Sequence, residues 1–287
     1  MTVSVLTLIR NRRFQLLNLL KGLAAQNRKP DELVIACMQA VEEPDLPEIG
    51  VPIRQLLVPG EALPLARARN VAAREAKGET LVFLDIDCIA SPPLIERFEA
   101  ACQGREGLFL GEVLYLPGGA VTDPLDFDTL DALGVPHPSK PPMPLRGLRR
   151  EPETGEFWGL SFALKKLVWD RLGGMDESFV GYGGEETDLA ARLDPAGVPL
   201  YWTAGARAYH QHHVVHMPPL QHFDAIIANA RRFHAKHGRW CMDYWLGQFA
   251  ERGLIAWSSK AETLTALRSP TSAEIVAARQ PETVRFS

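Results

Sequence analysis

The chain has 287 residues, of which 46% are hydrophobic and 23% charged, with a formal net charge of −4. This composition supports a globular fold with a real core, as one large domain or two small ones. It argues against a protein held on nucleic acid mainly by phosphate contacts, and no nucleic-acid partner is expected. Four widely spaced cysteines, Cys37, Cys88, Cys102 and Cys241, form no CxxC pair. A disulfide framework or structural zinc site is therefore not expected, and a reducing, cytoplasmic location is.

The first half alternates between strand and helix patterns. Val3–Ile9 is apolar but for Ser4 and Thr7 and has no basic region before it, so it predicts a first strand rather than a signal peptide. Phe14–Ala25 carries apolar residues at helical spacing, with Phe14, Leu17, Leu20 and Ala24 on one face. Glu32–Cys37 and Val51–Val58 predict further strands, Pro64–Ala76 a helix closed near Gly78, and Thr80–Leu84 a fourth strand. Short buried strands separated by helices predict an α/β fold with a Rossmann-like, mostly parallel sheet flanked by helices. In such sheets ligands sit beyond the carboxyl ends of the strands.

The proline-rich stretch Gly118–Pro144, including HPSKPPMP, predicts a surface loop or lid. Regular patterning returns at Phe157–Asp170, and Glu186–Leu193 predicts a helix. Beyond about Arg239 the pattern weakens, and Ser269–Ser287 predicts an exposed helix with a frayed end. The expected division is a domain over residues 1–238, with halves 1–116 and 117–238, and a helical C-terminal extension over 239–287. No window approaches 18 uninterrupted apolar residues, so no transmembrane segment is expected. Peripheral association with a membrane stays open.

Four motifs carry chemistry. FLDID places Asp85 and Asp87 at the end of the apolar run Leu81–Leu84. On an extended segment residues i and i+2 share a side, and two converging carboxylates call for a hard divalent cation; equally, one Asp caps the helix after Ser91-Pro92-Pro93 and the other is solvated. LIRNRR puts cations at a strand-to-helix junction, suited to an anion. GYGGEETDL sets three glycines before Glu185, Glu186 and Asp188, acids that favour a helix dipole but also suit a catalytic base on a hinged loop. YHQHHVVH holds four histidines in seven residues, any of which is a candidate metal ligand or a surface residue.

In this order, RNR (Arg10–Arg12), ARN (Ala68–Asn70), FLDID, FWGLSFAL (Phe157–Leu164), GYGGEETDL and the His210…Phe223 segment resemble GT-A type glycosyltransferases. The pattern is shared with the inverting family 2 enzymes, and the second half is similar to the β-1,4-galactosyltransferase family (family 7). The resemblance spans roughly the first 235 residues. It implies a GT-A fold and an inverting, metal-dependent transfer of a sugar from a nucleotide sugar, with a UDP-sugar as the expected donor. The acceptor is a hydroxyl of a glycan, lipid or small molecule. A protein that keeps the fold but only binds nucleotide sugar or carbohydrate is the alternative. A third reading makes the four histidines a transition-metal site of a hydrolase, leaving Arg10–Arg12 and the glycine-flanked acids unexplained.

The resemblance also implies roles. Glu186 matches the catalytic base. Thr7, Arg10, Asn11, Arg12, Arg69, Asp85 and Asp87 fall on the donor side. Trp158, Tyr182, Gly184, Glu185 and Asp188 fall on the acceptor side. Asp87 and His210 match the ligands of Mn2+ or Mg2+. This sequence departs from the pattern in three places. Arg207 stands at or near the family's methionine ligand, Ala36-Cys37-Met38 replaces a strand-end Asp that binds the nucleobase, and Glu186 replaces the usual Asp.

Overall fold

The computed structural model describes residues 1–60 and 62–286. Strand β1 (Val3–Ile9) leads into helix α1 (Arg13–Ala24), then β2 (Glu32–Cys37), β3 (Ile53–Leu57), α2 (Leu65–Glu75), β4 (Thr80–Leu84), the short β5 (Cys88–Ala90) and α3 (Leu94–Gly104). Next come β6 (Leu108–Tyr115), α4 (Phe127–Leu133), β7 (Val135–Pro136), β8 (Leu148–Glu151), β9 (Ser161–Lys165), α5 (Lys166–Leu172), α6 (Glu185–Leu193) and β10 (Leu200–His210). The remainder is α7 (Phe223–His237), α8 (Asp243–Glu251), a small β11–β12 hairpin (Ile255–Ala256, Thr265–Ala266) and α9 (Ser272–Ala277).

The main sheet runs β3-β2-β1-β4-β9-β6-β10-β5, with β7 on β6 and β8 on β10. β1, β2, β3 and β4 are mutually parallel; β9 runs against β4 and β6, β10 runs with β6, and β5 runs against β10. Six strands of the eight-strand path therefore point one way. Their carboxyl ends include Ile9, Leu84, Tyr115 and His210, and the amino end of the reversed β9 lies beside them, because Leu84 pairs with Ser161. That rim gathers Arg10, Asp85, Asp87, Trp158 and His210, residues drawn from across the chain.

Strand side chains alternate between two cores. Val3, Val5, Ile9, Val82 and Leu84 pack with α1 and α3, while Leu6, Leu8, Leu81 and Phe83 pack with α2, α5 and α6. Phe162 on β9 is fully buried, stacked on Phe83 at 4.5 Å and edge-on to Phe157 at 4.9 Å. A third cluster joins Leu220, Phe223, Ile226, Leu246, Phe249 and Ala278. The expected 238/239 boundary falls inside this cluster.

Several expectations shift. The buried face of α1 is Leu16, Leu19, Leu20 and Leu23, while Phe14 is 66% exposed. Gly78 serves the sheet rather than the helix end: its N–H donates to Ser4 Oγ at 2.8 Å, and a Cβ there would strike the Ser4 backbone. The proline-rich stretch contains α4, capped by Asp126, whose carboxylate accepts from the Asp128 and Thr129 N–H groups. Residues 279–286 are tied back rather than frayed. Gln280 N–H donates to Val215 O, and Phe286 packs edge-on to Tyr115 at 5.1 Å; Ser287 lies outside the described residues. No helix among the described residues is long and apolar enough to cross a membrane.

Truncating Phe162 to Ala leaves a cavity at the centre of the sheet. The expected cost is about 3–5 kcal/mol of unfolding free energy. Urea denaturation of the variant measures it, and a loss under 1 kcal/mol would mean that β9 is not the packed centre described here.

Candidate active site

Two groups of charged side chains meet at the strand ends. After β4 the chain turns rather than extends: Cys88 N–H bonds to Asp85 O at 2.9 Å. Asp85 and Asp87 meet different partners. Asp85 faces Arg69, with Oδ1 3.8 Å from Nη2, and Asp87 faces the histidines of the β10 end.

Around Asp87 the geometry suits a cation. Its carboxylate is 4% exposed, and Oδ2 accepts from Arg12 Nη1 at 2.7 Å. Oδ1 is buried without a hydrogen-bond partner, which is costly for an acceptor unless something else satisfies it. His210 Nε2 lies 3.4 Å from Oδ1, and His213 Nε2 lies 3.5 Å from Oδ2. One donor atom from each of Asp87, His210 and His213 fits within 4.8 Å of the others. Burial alone would raise the Asp87 carboxyl, but His210, Arg12 and His213 outweigh it and hold it below the usual carboxylate range. Burial pushes His210 below the ordinary imidazole value, with Asp87 opposing and His213 and Arg12 reinforcing. An ionised carboxylate beside a neutral imidazole is the protonation state that metal binding requires, so these residues fit a divalent cation.

The second group centres on Arg69, which is 4% exposed in α2. Its Nη1 donates to Glu185 Oε1 at 3.1 Å and its Nη2 to Glu186 Oε1 at 2.8 Å. Glu186 Oε2 accepts from the Gly159 N–H at 2.9 Å, so both carboxylate oxygens are fixed. A side chain at residue 159 would collide with that carboxylate. Burial, the Glu186 charge and, in opposition, Arg69 leave the Glu185 carboxyl raised to about 7. Asp85 is raised to about 7 by burial and the Asp87 charge.

The GYGG turn that presents these acids is fastened. Gly181, Gly183 and Gly184 take φ values of 83°, 87° and 94°, which other residues rarely adopt. Asn229 of α7 donates to Val180 O at 3.0 Å and Gly183 O at 2.7 Å, and Gly181 N–H donates to Leu63 O at 2.9 Å. The turn that the sequence suggested as a hinge is thus held by hydrogen bonds from both sides. Tyr182 stacks on His222 at 4.5 Å and leans on Trp245 at 5.6 Å.

The structure brings Arg12, Asp85, Asp87, Arg69, Glu185, Glu186 and His210 together, with Arg10 and Asn11 in the adjoining turn after β1. Asn11 takes the left-handed conformation there, at φ 56°, and its N–H donates to Gln39 Oε1. Gly184 caps α6 through its backbone. Trp158 carries Lys140 Nζ 3.5 Å over its ring and His137 edge-on at 4.8 Å, at the mouth of a cleft also lined by Tyr115, Ser161 and Trp202. Two expected residues fall elsewhere. Thr7 is 1% exposed inside β1. Asp188 is fully buried and held by Arg192, Lys236 and His237, so it cannot meet an acceptor. The sequence reading left His213 as one candidate among four histidines, and it missed the Gly159 N–H and Tyr115, which stacks on His210 at 4.7 Å.

A family model described as the N-terminal domain of galactosyltransferase matches residues 146–216. Validoxylamine A glucosyltransferase of Streptomyces hygroscopicus subsp. jinggangensis (strain 5008) is 28% identical over 155 residues, covering 47% of this chain and 36% of that protein. The enzyme of the same name from subsp. limoneus is 28% identical over the same length, covering 34% of it. The chain thus spans about a third of the curated relatives' length. A crystal structure of GalNAc-T7 with UDP, GalNAc and Mn2+ superposes with a TM-score of 0.58 at 15% identity, covering 88% of this chain and 54% of that one. Residues 1–349 of S. aureus TarS give 0.54 at 14% identity, covering 88% and 72%. The fold is the GT-A fold of glycosyltransferases. Within it, residues 146–216, from just before β8 through His210 and His213, match the galactosyltransferase family model.

The raised Glu185 value fixes a sign. A carboxyl at about 7 when folded, against an ordinary 4.5, stabilises the fold fully below pH 4.5 and loses that contribution as pH rises to about 7. Glu185→Gln lacks this titration. Its melting temperature relative to the natural protein is expected to rise between pH 4.5 and 7; a difference independent of pH would refute the raised value.

Proposed function

We propose that the chain transfers a sugar, with inversion, from a nucleotide sugar to a hydroxyl of a glycan, lipid or small-molecule acceptor, and that the donor is a UDP-sugar. The observation that carries this is Glu186. Its carboxylate is fixed at both oxygens, 28% exposed on its side chain, and set on the same strand rim as the Asp87 cation site. The GT-A fold, the glucosyltransferase names of the relatives and the UDP and Mn2+ bound in one fold neighbour support it.

In this mechanism Arg10 and Arg12 meet the diphosphate at the amino end of α1, where backbone N–H groups also favour anions. Mn2+ or Mg2+ held by Asp87 and His210 would supply electrostatic stabilisation of the departing diphosphate. Asp85, beside Arg69, faces the donor sugar or ribose. Glu186 takes the proton from the acceptor hydroxyl as that oxygen attacks the anomeric carbon and the bond to the diphosphate breaks. The products are the glycosylated acceptor and the nucleoside diphosphate. Arg69 and Gly159 N–H hold Glu186 in place, Trp158 offers an apolar face to a sugar, and Tyr182 stands at the acceptor side.

Glu186→Gln keeps the shape and loses the base. Donor affinity, measured by calorimetry with UDP-glucose, UDP-galactose and UDP-N-acetylgalactosamine in the presence of Mn2+, is expected to change less than threefold. Turnover, including slow donor hydrolysis followed by UDP release, should fall at least about 100-fold. Full turnover in the variant would remove Glu186 as base. Tight donor binding without turnover in the natural protein would favour the non-catalytic reading.

A further inference from the structure

Helix α8 lies beyond the stretch that carries the resemblance, yet it reaches the candidate site. It starts at Asp243, after Met242 in the left-handed conformation at φ 59°. A Cβ at Gly183 would come within 2.6 Å of Met242 Sδ and 3.6 Å of Trp245 Cζ3. The bare glycine thus lets the start of α8 close on the turn that presents Glu185 and Glu186. We infer that Trp245 is the aromatic platform of the acceptor site, and that the acceptor hydroxyl belongs to a ring with an apolar face, a sugar or a cyclitol, rather than to an open-chain alcohol. The inference rests on the proposed transfer and narrows its acceptor.

Three observations carry it. Tyr182, the aromatic that the resemblance puts at the acceptor, is already covered. His222 stacks on its ring at 4.5 Å and 15°, and Trp245 leans on it at 5.6 Å and 34°. Among the described residues His222 and Trp245 make no ring contact with each other, so they cover different faces of Tyr182. Second, the two partners look different ways. His222 is within reach of the donor side: burial lowers its imidazole, and the His216 and Arg12 charges add to that. Trp245 rests instead against the glycine turn just ahead of Glu186, the group that must meet the acceptor hydroxyl. Third, Trp245 is only half-buried and its neighbour Tyr244 is 63% exposed, so α8 offers the aromatic surface that Tyr182 cannot. An indole is a large, rigid, partly polar surface that suits the C–H face of a ring whose hydroxyls point outward. An open-chain alcohol has no such face. The rival explanation is that Trp245 only packs Tyr182 in place.

The test uses the full chain with Mn2+ and whichever of UDP-glucose, UDP-galactose and UDP-N-acetylgalactosamine it turns over. UDP release is followed as acceptor probes are added: methyl β-glucoside, N-acetylglucosamine and myo-inositol as rings, glycerol and glucitol as open chains. At least one ring should accelerate release about tenfold more than either open chain at equal concentration. Trp245→Ala should raise the KM of that ring at least about tenfold with kcat changed less than about threefold, and Trp245→Phe should restore most of the loss. A packing role alone would lower kcat and melting temperature and leave the acceptor KM near its natural value. Should the alanine variant fail to fold, Trp245→Leu, which keeps bulk but not the aromatic face, takes its place. An acceptor KM within about twofold of the natural value in a folded variant, open-chain alcohols used as well as rings, or donor hydrolysis that no ring accelerates would each overturn the inference and leave donor turnover standing. No turnover of any donor by the natural protein would overturn the transferase reading, and the inference with it.

Discussion

One buried guanidinium organises this molecule. Arg69 leaves α2 beneath the sheet rim and meets Glu185, Glu186 and Asp85, with only 4% of its surface exposed. Burying such a charge unpaired would cost several kcal/mol, so the carboxylates must be delivered to it. Delivery fixes the approach of α6, the turn after β4 and the backbone at Gly159. Three carboxylates around one cation still leave an excess of negative charge. Burial, reinforced by that excess, raises the Asp85 and Glu185 carboxyls to about 7.

The excess also explains how the rim divides its work. On the Arg69 side a carboxylate is pinned where it can take a proton. On the Arg12 side the Asp87 carboxyl is held below the usual carboxylate range, beside a His210 imidazole that burial pushes below its ordinary value. Both halves are tied to the fold: His210 pairs with Cys88, next to Asp87, at the strand ends, and Asn229 bonds to the glycine turn that precedes Glu186. Orientation therefore costs little at the moment of reaction.

Much of this was legible in the sequence, for identifiable reasons. β1, β2 and β4 are largely apolar runs, as strands buried on both faces must be. Asp85 and Asp87 stood out as paired carboxylates at a strand end, whereas Glu186 and His210 were singled out by the resemblance to GT-A glycosyltransferases, each also having a plain structural reading. The rest depended on contacts between distant segments. β10 hides its period behind a register shift between Trp202 and Arg207, and β9 gives no hint that it runs backward. Asp188 looks like its acidic neighbours in sequence, yet the α6 turn points it inward to Lys236 and His237 on α7. Phe14 looked like a core residue on a helical face, but the sheet sits against Leu16 and Leu19 instead. His213 was one histidine among four, and only the fold of the loop after β10 sets it against Asp87.

The central claim is that a cation and a diphosphate share the rim between Arg12 and Asp87. Thermal melting of the chelator-stripped protein with UDP, with Mn2+ and with both tests it most directly. At 100 times its dissociation constant a ligand of the folded state adds about 2.7 kcal/mol of stability. The account predicts a small effect from either alone and a larger, more than additive rise in melting temperature with the two together. Equal stabilisation by UDP with and without Mn2+, or none under any condition, would contradict it.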